Sequence, residues 1–468
     1  MSSTNLKRKA PNDEAVVASE PVGQRAFPGS DLSAVKDSYY ANLYTKEVDF
    51  RSLSKQDPEF AAVTKGNGQL DFSDPAAVMQ LTKTLLKLDF GLKIELPHDR
   101  LCPPVPIRHN YILWLKELMD TSSYSEPGRK LTGVDIGTGA SCIYPLLGVT
   151  QRPWYFIATD IDHRSLDYAR RNVSINGLED RIRVVAKSKD DAHIVPLDEC
   201  GVDRVDFTMT NPPFYESEAD LTRSAAKKAR PPSSACTGAP VEMVVEGGEA
   251  AFVGRLLQES LLFRDRVQWY TSMFGKLGSL QEFIEKLREN EIDNYAVTEF
   301  VQGKQTKRWA VGWSFGDMRP SEKAARGVKA ATWRSLLPHA TLVETCAFPV
   351  DTGVSRIEVR IGEMMASLDL ISWVWEREKL QGIGRARENV WARAWRRKKK
   401  REEQALADGG TIPSHIQDVE EICKLGFLVS IRISKSEATV AIRWLEGHDS
   451  GLFESLSGFI RSQLNDLS

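Results

Sequence analysis

Cysteine is scarce in this chain, and its spacing forms no recognisable pair. The six cysteines, Cys102, Cys142, Cys200, Cys236, Cys346 and Cys423, contain no Cys-x-x-Cys pair and form no cluster with the seven histidines. That argues against zinc signatures and a disulfide scaffold; reduced thiols, a cytosolic or nuclear setting and no metal are expected. Long apolar runs are also missing: none approaches the roughly 20 residues of a membrane span, so no membrane partner is expected. The first residues, Met1 to Lys9, have no apolar centre and do not read as a signal peptide. Charge of one sign is lacking too. A net charge of −2 excludes a uniformly basic surface and leaves a local basic groove as the way to meet a polyanion.

What is present fits a large globular protein. With 468 residues, 41% of them hydrophobic, two or more domains are expected. Residues 1–34 are rich in Pro, Ser, Ala and charge and read as a disordered tail, with Lys7-Arg-Lys9 as a short cluster of the nuclear-signal type. A first domain spans 35–320, a polar linker 321–335, and a smaller α/β domain 336–468. In the last, a strand–strand–helix pattern is read twice: Ala340–Val350, Gly353–Ile361 and Glu363–Trp375, then Gly426–Ile433, Ala438–Leu445 and Gly451–Leu464. A basic insertion, 385–416, splits the halves; it carries Trp391, Trp395 and Arg396-Arg-Lys-Lys-Lys-Arg401 and reads as an RNA contact, a nuclear signal or a solvated charge run.

Within the first domain, strands and helices alternate, which implies a doubly wound parallel sheet. Asp74-Pro75 starts a helix that ends near Gly91. Leu101 to Ile107 is read as a stiff extended segment leading to a helix from Tyr111 to Met119, with Arg108 placed to reach a ligand carboxylate or, equally, to form a surface salt bridge. Leu131, Val134 and Ile136 mark a strand followed by Gly137-Thr-Gly139 and Ser141, a turn that lets backbone N–H groups approach a ligand. A second strand ends in Asp160, at the spacing of an acidic residue that binds ribose hydroxyls, although helix capping is the plainer role and suits Asp162 better. A fourth strand, Val205 to Thr210, ends in Asn211-Pro212-Pro213-Phe214. Ligands bind at the carboxyl ends of such strands, so the glycines, Asp160 and Asn211 converge on one site. The Glu246-Gly-Gly-Glu249 stretch opens a long helix reaching about Phe263.

The Asn-Pro-Pro-Phe element suits the methylation of an amino group on a flat ring. Such a nitrogen is a poor nucleophile because its lone pair is delocalised. Carbonyls of the Asn211 side chain and the Pro212 backbone can accept both amine hydrogens, turn the lone pair towards a methyl donor and stabilise the charge that develops. Consecutive prolines hold these carbonyls rigidly, and Phe214 can stack on the base, worth roughly 1–3 kcal/mol. The alternative is a strand-ending turn with a core phenylalanine. S-adenosylmethionine is the nucleoside cofactor that fits, since a dehydrogenase has no need of this element.

These stretches closely resemble the methyltransferase-like 16 family, the U6 small nuclear RNA adenine N6-methyltransferases. The likeness covers roughly residues 45–318 and rests on Asp89-Phe-Gly-Leu92, Pro104 to Tyr111, Gly133 to Gly148, Asn211 to Phe214, Pro231-Pro-Ser-Ser234, Glu246 to Glu249 and Arg308-Trp309. It implies a Rossmann-like class I S-adenosylmethionine-dependent methyltransferase with N-terminal RNA-binding helices, and a C-terminal accessory domain that binds RNA. By the resemblance, Arg108, Gly137, Gly139, Ser141, Asp160, Asp191 and Asn211 contact the cofactor; Asn211, Pro212, Pro213 and Phe214 form the catalytic element; and Tyr215, Lys227, Lys228, Arg230, Lys304 and Arg308 meet RNA. The implied acceptor is one adenosine in structured RNA, in the ACAGAGA segment of U6 small nuclear RNA, with an influence on splicing, a nuclear or additionally cytoplasmic location, and a monomeric enzyme. Asp160 stands where the family often has Glu, and Ser73 where it has a lysine of the RNA-binding region; Ala186–Ala192 takes the place of a cofactor-gating loop. The other readings are a methyltransferase acting on ribosomal RNA or protein glutamine, and an RNA-binding splicing factor acting largely without methylation.

Overall fold

The structure is a computed structural model and describes residues 32–65, 68–217, 219–220, 238–302, 306–328, 335–395, 397–398, 401, 404 and 422–467. Apolar runs that are buried on both faces make the centre of the larger sheet: β1 (Thr132–Ile136), β2 (Tyr155–Asp160) and β4 (Val205–Thr210), with β3 (Ile182–Ala186) outside β2. β5 (Val267–Phe274), β7 (Thr306–Trp313), β6 (Tyr295–Gln302) and β8 (Arg326–Gly327) complete it, in the order β3-β2-β1-β4-β5-β7-β6-β8. β7 runs antiparallel to β5 and β6; the other pairings are parallel. Gly133 lets β1 lie close under two rings, since a Cβ there would sit 2.3 Å from Phe207. The chain winds outward through β1, β2 and β3, then returns to the other side of β1 as β4. That reversal opens a crevice at the carboxyl ends of β1 and β4.

Helices cover the sheet where the apolar periodicity predicts them. Pro75–Phe90 is capped by Asp74, whose side chain accepts from Ala76 N, and stops at Gly91 with φ 68°. The helix expected from Tyr111 begins earlier and spans Val105–Thr121. Prolines are tolerated in a helix's first turn, so Pro106 prolongs the helix rather than preceding it, and Arg108 therefore stands inside the first turns. The first helix, Leu32–Asn42, begins within the stretch read as a tail; residues 1–31 lie outside the described ones.

The linker reading of 321–335 needs correction. Ser321 caps the one-turn helix Glu322–Ala325, Ala324 and Ala325 are buried, and β8 pairs with β6. The segment is too short to show periodicity, and it is held by Trp114, whose indole donates to Ala324 O at 2.9 Å.

The second sheet is built of β9 (Leu342–Pro349), β10 (Ser372–Glu376), β11 (Gln381–Ala386), β12 (Leu425–Ile433) and β13 (Glu437–Glu446). It is antiparallel, in the order β10-β11-β12-β13-β9. The second half follows the expected pattern and ends in the helix Ser450–Leu464. The first half does not: Val354–Ala366 is helical and Trp375 lies on β10. Trp375 reaches that helix by donating to Glu358 Oε1 at 2.8 Å, a contact that local pattern cannot reveal. Arg385 and Ala386, the first residues of the expected basic insertion, belong instead to β11, and Trp391 is buried in the core. Residues 405–416 of that insertion lie outside the described ones. No described helix is long and apolar enough to cross a membrane.

Candidate active site

The crevice holds a cavity of about 490 Å³. Gly137 and Gly139 turn the chain after β1 with φ 76° and 64°, the left-handed region open to glycine. The N–H groups of Gly137 and Thr138 donate to Thr159 O at 2.9 and 2.8 Å, which fastens the turn to the end of β2. Gly139 N donates to Asp160 Oδ2 at 2.8 Å, and Asp162 N to Asp160 Oδ1 at 2.9 Å. Asp160 is thus fixed by backbone on the cavity wall. Burial pushes its carboxyl up, against the pull of these N–H groups. Capping falls to Asp162, which accepts from Ser165 N at 2.9 Å and pairs with Arg100.

Arg108 is buried at the cavity and donates to the Tyr144 hydroxyl at 2.6 Å. Burial pushes that phenol up to about 12, with Arg108 acting in the other direction. Ser141 lines the same space. At the end of β4, Thr210 Oγ1 donates to Ile136 O at 2.8 Å and ties the strand to β1. Asn211, Pro212 and Pro213 then face the cavity. The Asn211 Oδ1 atom is buried and has no hydrogen-bond partner among the described residues. Buried oxygens are nearly always bonded, so an unpartnered one in a cavity wall is available to a donor from water or from a ligand. Beside this element, Arg308 holds its guanidinium carbon 5.3 Å from the Phe214 ring centroid, and Lys276 Nζ stands 5.8 Å from that of Tyr215. Burial lowers the Arg308 pKa, as does the neighbouring Arg108 charge.

The fold therefore brings Arg108, Gly137, Gly139, Ser141, Asp160, Asn211, Pro212 and Pro213 to one cavity, with Phe214, Tyr215 and Arg308 near Asn211. Asp191 is not among them. Its carboxylate pairs with Lys187 at 2.8 Å and accepts from Ser188 N at 2.9 Å; Lys187, Ser188 and Lys189 line the wall instead. A short side chain in a tight turn is taken up locally before it can reach a ligand. Ser73 is likewise engaged, through its hydroxyl and N–H, by Asp71. Lys227, Lys228, Arg230 and Lys304 lie outside the described residues. Two acids escaped sequence reasoning. Glu242 lines the cavity, and its Oε2 accepts from Leu101 N and Ala239 N, each at 2.9 Å. A single acid inside the apolar run Val241–Val245 was the available signal. Asp135 on β1 is fully buried, and both its oxygens lack a hydrogen-bond partner among the described residues.

A family model described as an RNA methyltransferase matches residues 33–317. The chain is 34% identical over 401 residues to the U6 small nuclear RNA (adenine-(43)-N(6))-methyltransferase of Schizosaccharomyces pombe, covering 86% of this chain and 96% of that protein. The chain belongs to the methyltransferase-like 16 family. It is 43% identical over 293 residues to the RNA N(6)-adenosine-methyltransferase METTL16 of Homo sapiens, and this match spans 61% of the chain but 52% of the human protein. A crystal structure of the human METTL16 N-terminal domain in complex with SAH shares 40% identity and a TM-score of 0.50, covering 59% of this chain and 98% of that one. The human catalytic domain in complex with MAT2A 3′UTR hairpin 1 shares 42% identity and a TM-score of 0.52, covering 58% and 92%. The family member described here is accordingly an RNA methyltransferase of Rossmann-like fold, with S-adenosylmethionine as its methyl donor.

Proposed function

We propose that the enzyme forms N6-methyladenosine in structured RNA, with the ACAGAGA segment of U6 small nuclear RNA as its substrate. The unpartnered Asn211 Oδ1 carries the choice of an amine acceptor, because it shares one cavity with the glycine turn and Asp160; the likeness to the Schizosaccharomyces pombe U6 RNA methyltransferase supports the choice of RNA. The donor set suits the cofactor: Asp160 offers a fixed carboxylate to ribose hydroxyls, and Arg108 a cation to the amino-acid carboxylate. When bound, the cofactor supplies an electrophilic methyl group on a sulfonium. Asn211 Oδ1 and the Pro212 carbonyl accept the two N6 hydrogens of the target adenine and aim its lone pair at that carbon. The N–C bond forms as the S–C bond breaks, and the N6 proton leaves to water, giving S-adenosylhomocysteine and the methylated base. Phe214 stacks on the base, while Tyr215 and Arg308 meet the flanking RNA. By the family resemblance, Lys227, Lys228, Arg230 and Lys304 add further cationic contacts to RNA.

The reading includes action in the nucleus as a monomer, with an effect on pre-mRNA splicing; Lys7-Arg-Lys9 and the kind of substrate support it. Labelled S-adenosylmethionine, incubated with U6 RNA and with a copy altered at the central adenosine of ACAGAGA, tests the assignment. Label in the first RNA alone is expected. Equal label in both, or none in either, rejects the acceptor. Asn211→Ala should cut turnover by roughly 100-fold or more while RNA affinity holds, and unchanged turnover rejects its role.

A further inference from the structure

The Phe214 ring rests against a residue with no side chain. Gly275 directly follows β5, and a Cβ on it would lie 2.7 Å from Phe214 Cδ1 and 3.0 Å from Cε1. Side-chain atoms do not come that close, so any larger residue forces the ring or the turn to move. The turn itself is held. Gly275 N donates to Glu249 Oε2 at 2.7 Å, and Lys276 N to Glu249 Oε1 at 2.9 Å. Glu249 stands in the first turn of the helix Gly248–Phe263 and is 1% exposed. Both its oxygens are thus spent on two successive amides of one turn, which fixes that turn more tightly than a single bond can. The same carboxylate favours the charged form of Arg308, whose guanidinium lies beside the Phe214 ring.

We propose that Glu249 and Gly275 are positioning residues for the acceptor base. The carboxylate sets the turn, and the bare turn sets the ring on which the base stacks. This rests on the reading of Phe214 as the base platform. A purely structural role for the buried acid makes a different prediction, since a brace that acts through Phe214 has nothing left to act on once the ring is removed.

The test is a double-mutant cycle. Turnover on U6 RNA and affinity for S-adenosylhomocysteine are measured for the wild type, Gly275→Ala, Phe214→Ala and the double variant. Gly275→Ala is expected to lower kcat about tenfold or more, with KM for RNA and S-adenosylhomocysteine affinity unchanged. In the Phe214→Ala background it should have no further effect. Multiplying deficits, or a Gly275→Ala enzyme of full kcat beside an impaired Phe214→Ala enzyme, overturn the brace. An unimpaired Phe214→Ala enzyme instead removes the platform reading on which the brace stands. Should Gly275→Ala lose S-adenosylhomocysteine binding altogether, Glu249→Gln takes its place in the same cycle. Its amide accepts only one of the two N–H groups, so its deficit too must vanish without the ring, and persistence there overturns the proposal.

Discussion

Asp135 lies fully buried on β1, and burial pushes its carboxyl up to about 7 from an ordinary 3.8. Between those values the folded protein keeps a proton that the unfolded chain releases. Stability of the ligand-free protein therefore falls as pH rises from 3.8 to about 7 and is level above that. Asp135→Asn should remove this component. The melting temperature of the variant relative to wild type is expected to climb from pH 5 to pH 8, and a constant difference would place the titration elsewhere. Glu249 shows another use of a buried acid: its charge goes into two backbone amides, not into chemistry.

Among the elements, the first helix, Leu32–Asn42, shows how a weakly patterned segment is held. Asp37 pairs with Lys116 at 2.6 Å and with Arg152 at 2.9 Å, and both cations are buried. Tyr40 stacks on Phe90, and its carbonyl meets His109 Nε2 at 2.9 Å. Asp37→Ala leaves Lys116 without its carboxylate and should cost about 1–3 kcal/mol, read by urea unfolding and by faster hydrogen exchange confined to this helix. His109 adds a pH dependence: burial lowers its pKa to about 4 from 6.5. The unfolded chain takes up the proton first on acidification, so this contribution is whole above 6.5 and is lost as pH falls towards 4.

For the whole molecule, the C-terminal domain docks near the amino ends of the central strands, away from the cavity. Arg319, 3% exposed, lies 4.3 Å from the Trp444 ring centroid, donates to Gly447 O at 2.7 Å and pairs with Asp293. Burial acts to raise the Asp293 pKa, but His448 at 2.8 Å and Arg319 outweigh it and hold the group at about 2. Its contribution is present above the ordinary 3.8 and is lost as pH falls through about 2, so the joint survives mild acid. A second contact joins Tyr124 to Glu446 at 2.7 Å, and Glu446 also takes Arg385 at 3.1 Å. Arg319→Ala leaves Asp293 with His448 as its partner, removes the guanidinium from Trp444 and Gly447, and should loosen the joint. Solution scattering would then give a larger radius of gyration, and proteolysis should quicken near residues 317–335, while methyl transfer to a short U6 hairpin stays unchanged. An unaltered scattering curve would show that Arg319 does not hold the domains.

Local order along the chain determined the core of this protein. The glycine turn and Asn211 each follow a buried strand, Asp160 ends another, and parallel strands must present their carboxyl ends together. A reader of the sequence can therefore gather these residues into one site without coordinates. Tertiary structure alone decided what surrounds them. Glu242 and Glu249 arrive from segments far from the strand ends they serve, Asp191 is diverted by Lys187, and Gly275 matters only because Phe214 lies against it. In the C-terminal sheet, Trp375 sits on a strand because its face packs on the helix Val354–Ala366, so its helical-looking surroundings mislead. The physical difference is range: periodicity and turn chemistry act over a few residues, whereas packing partners and the counter-charges of buried groups are set by where distant segments meet.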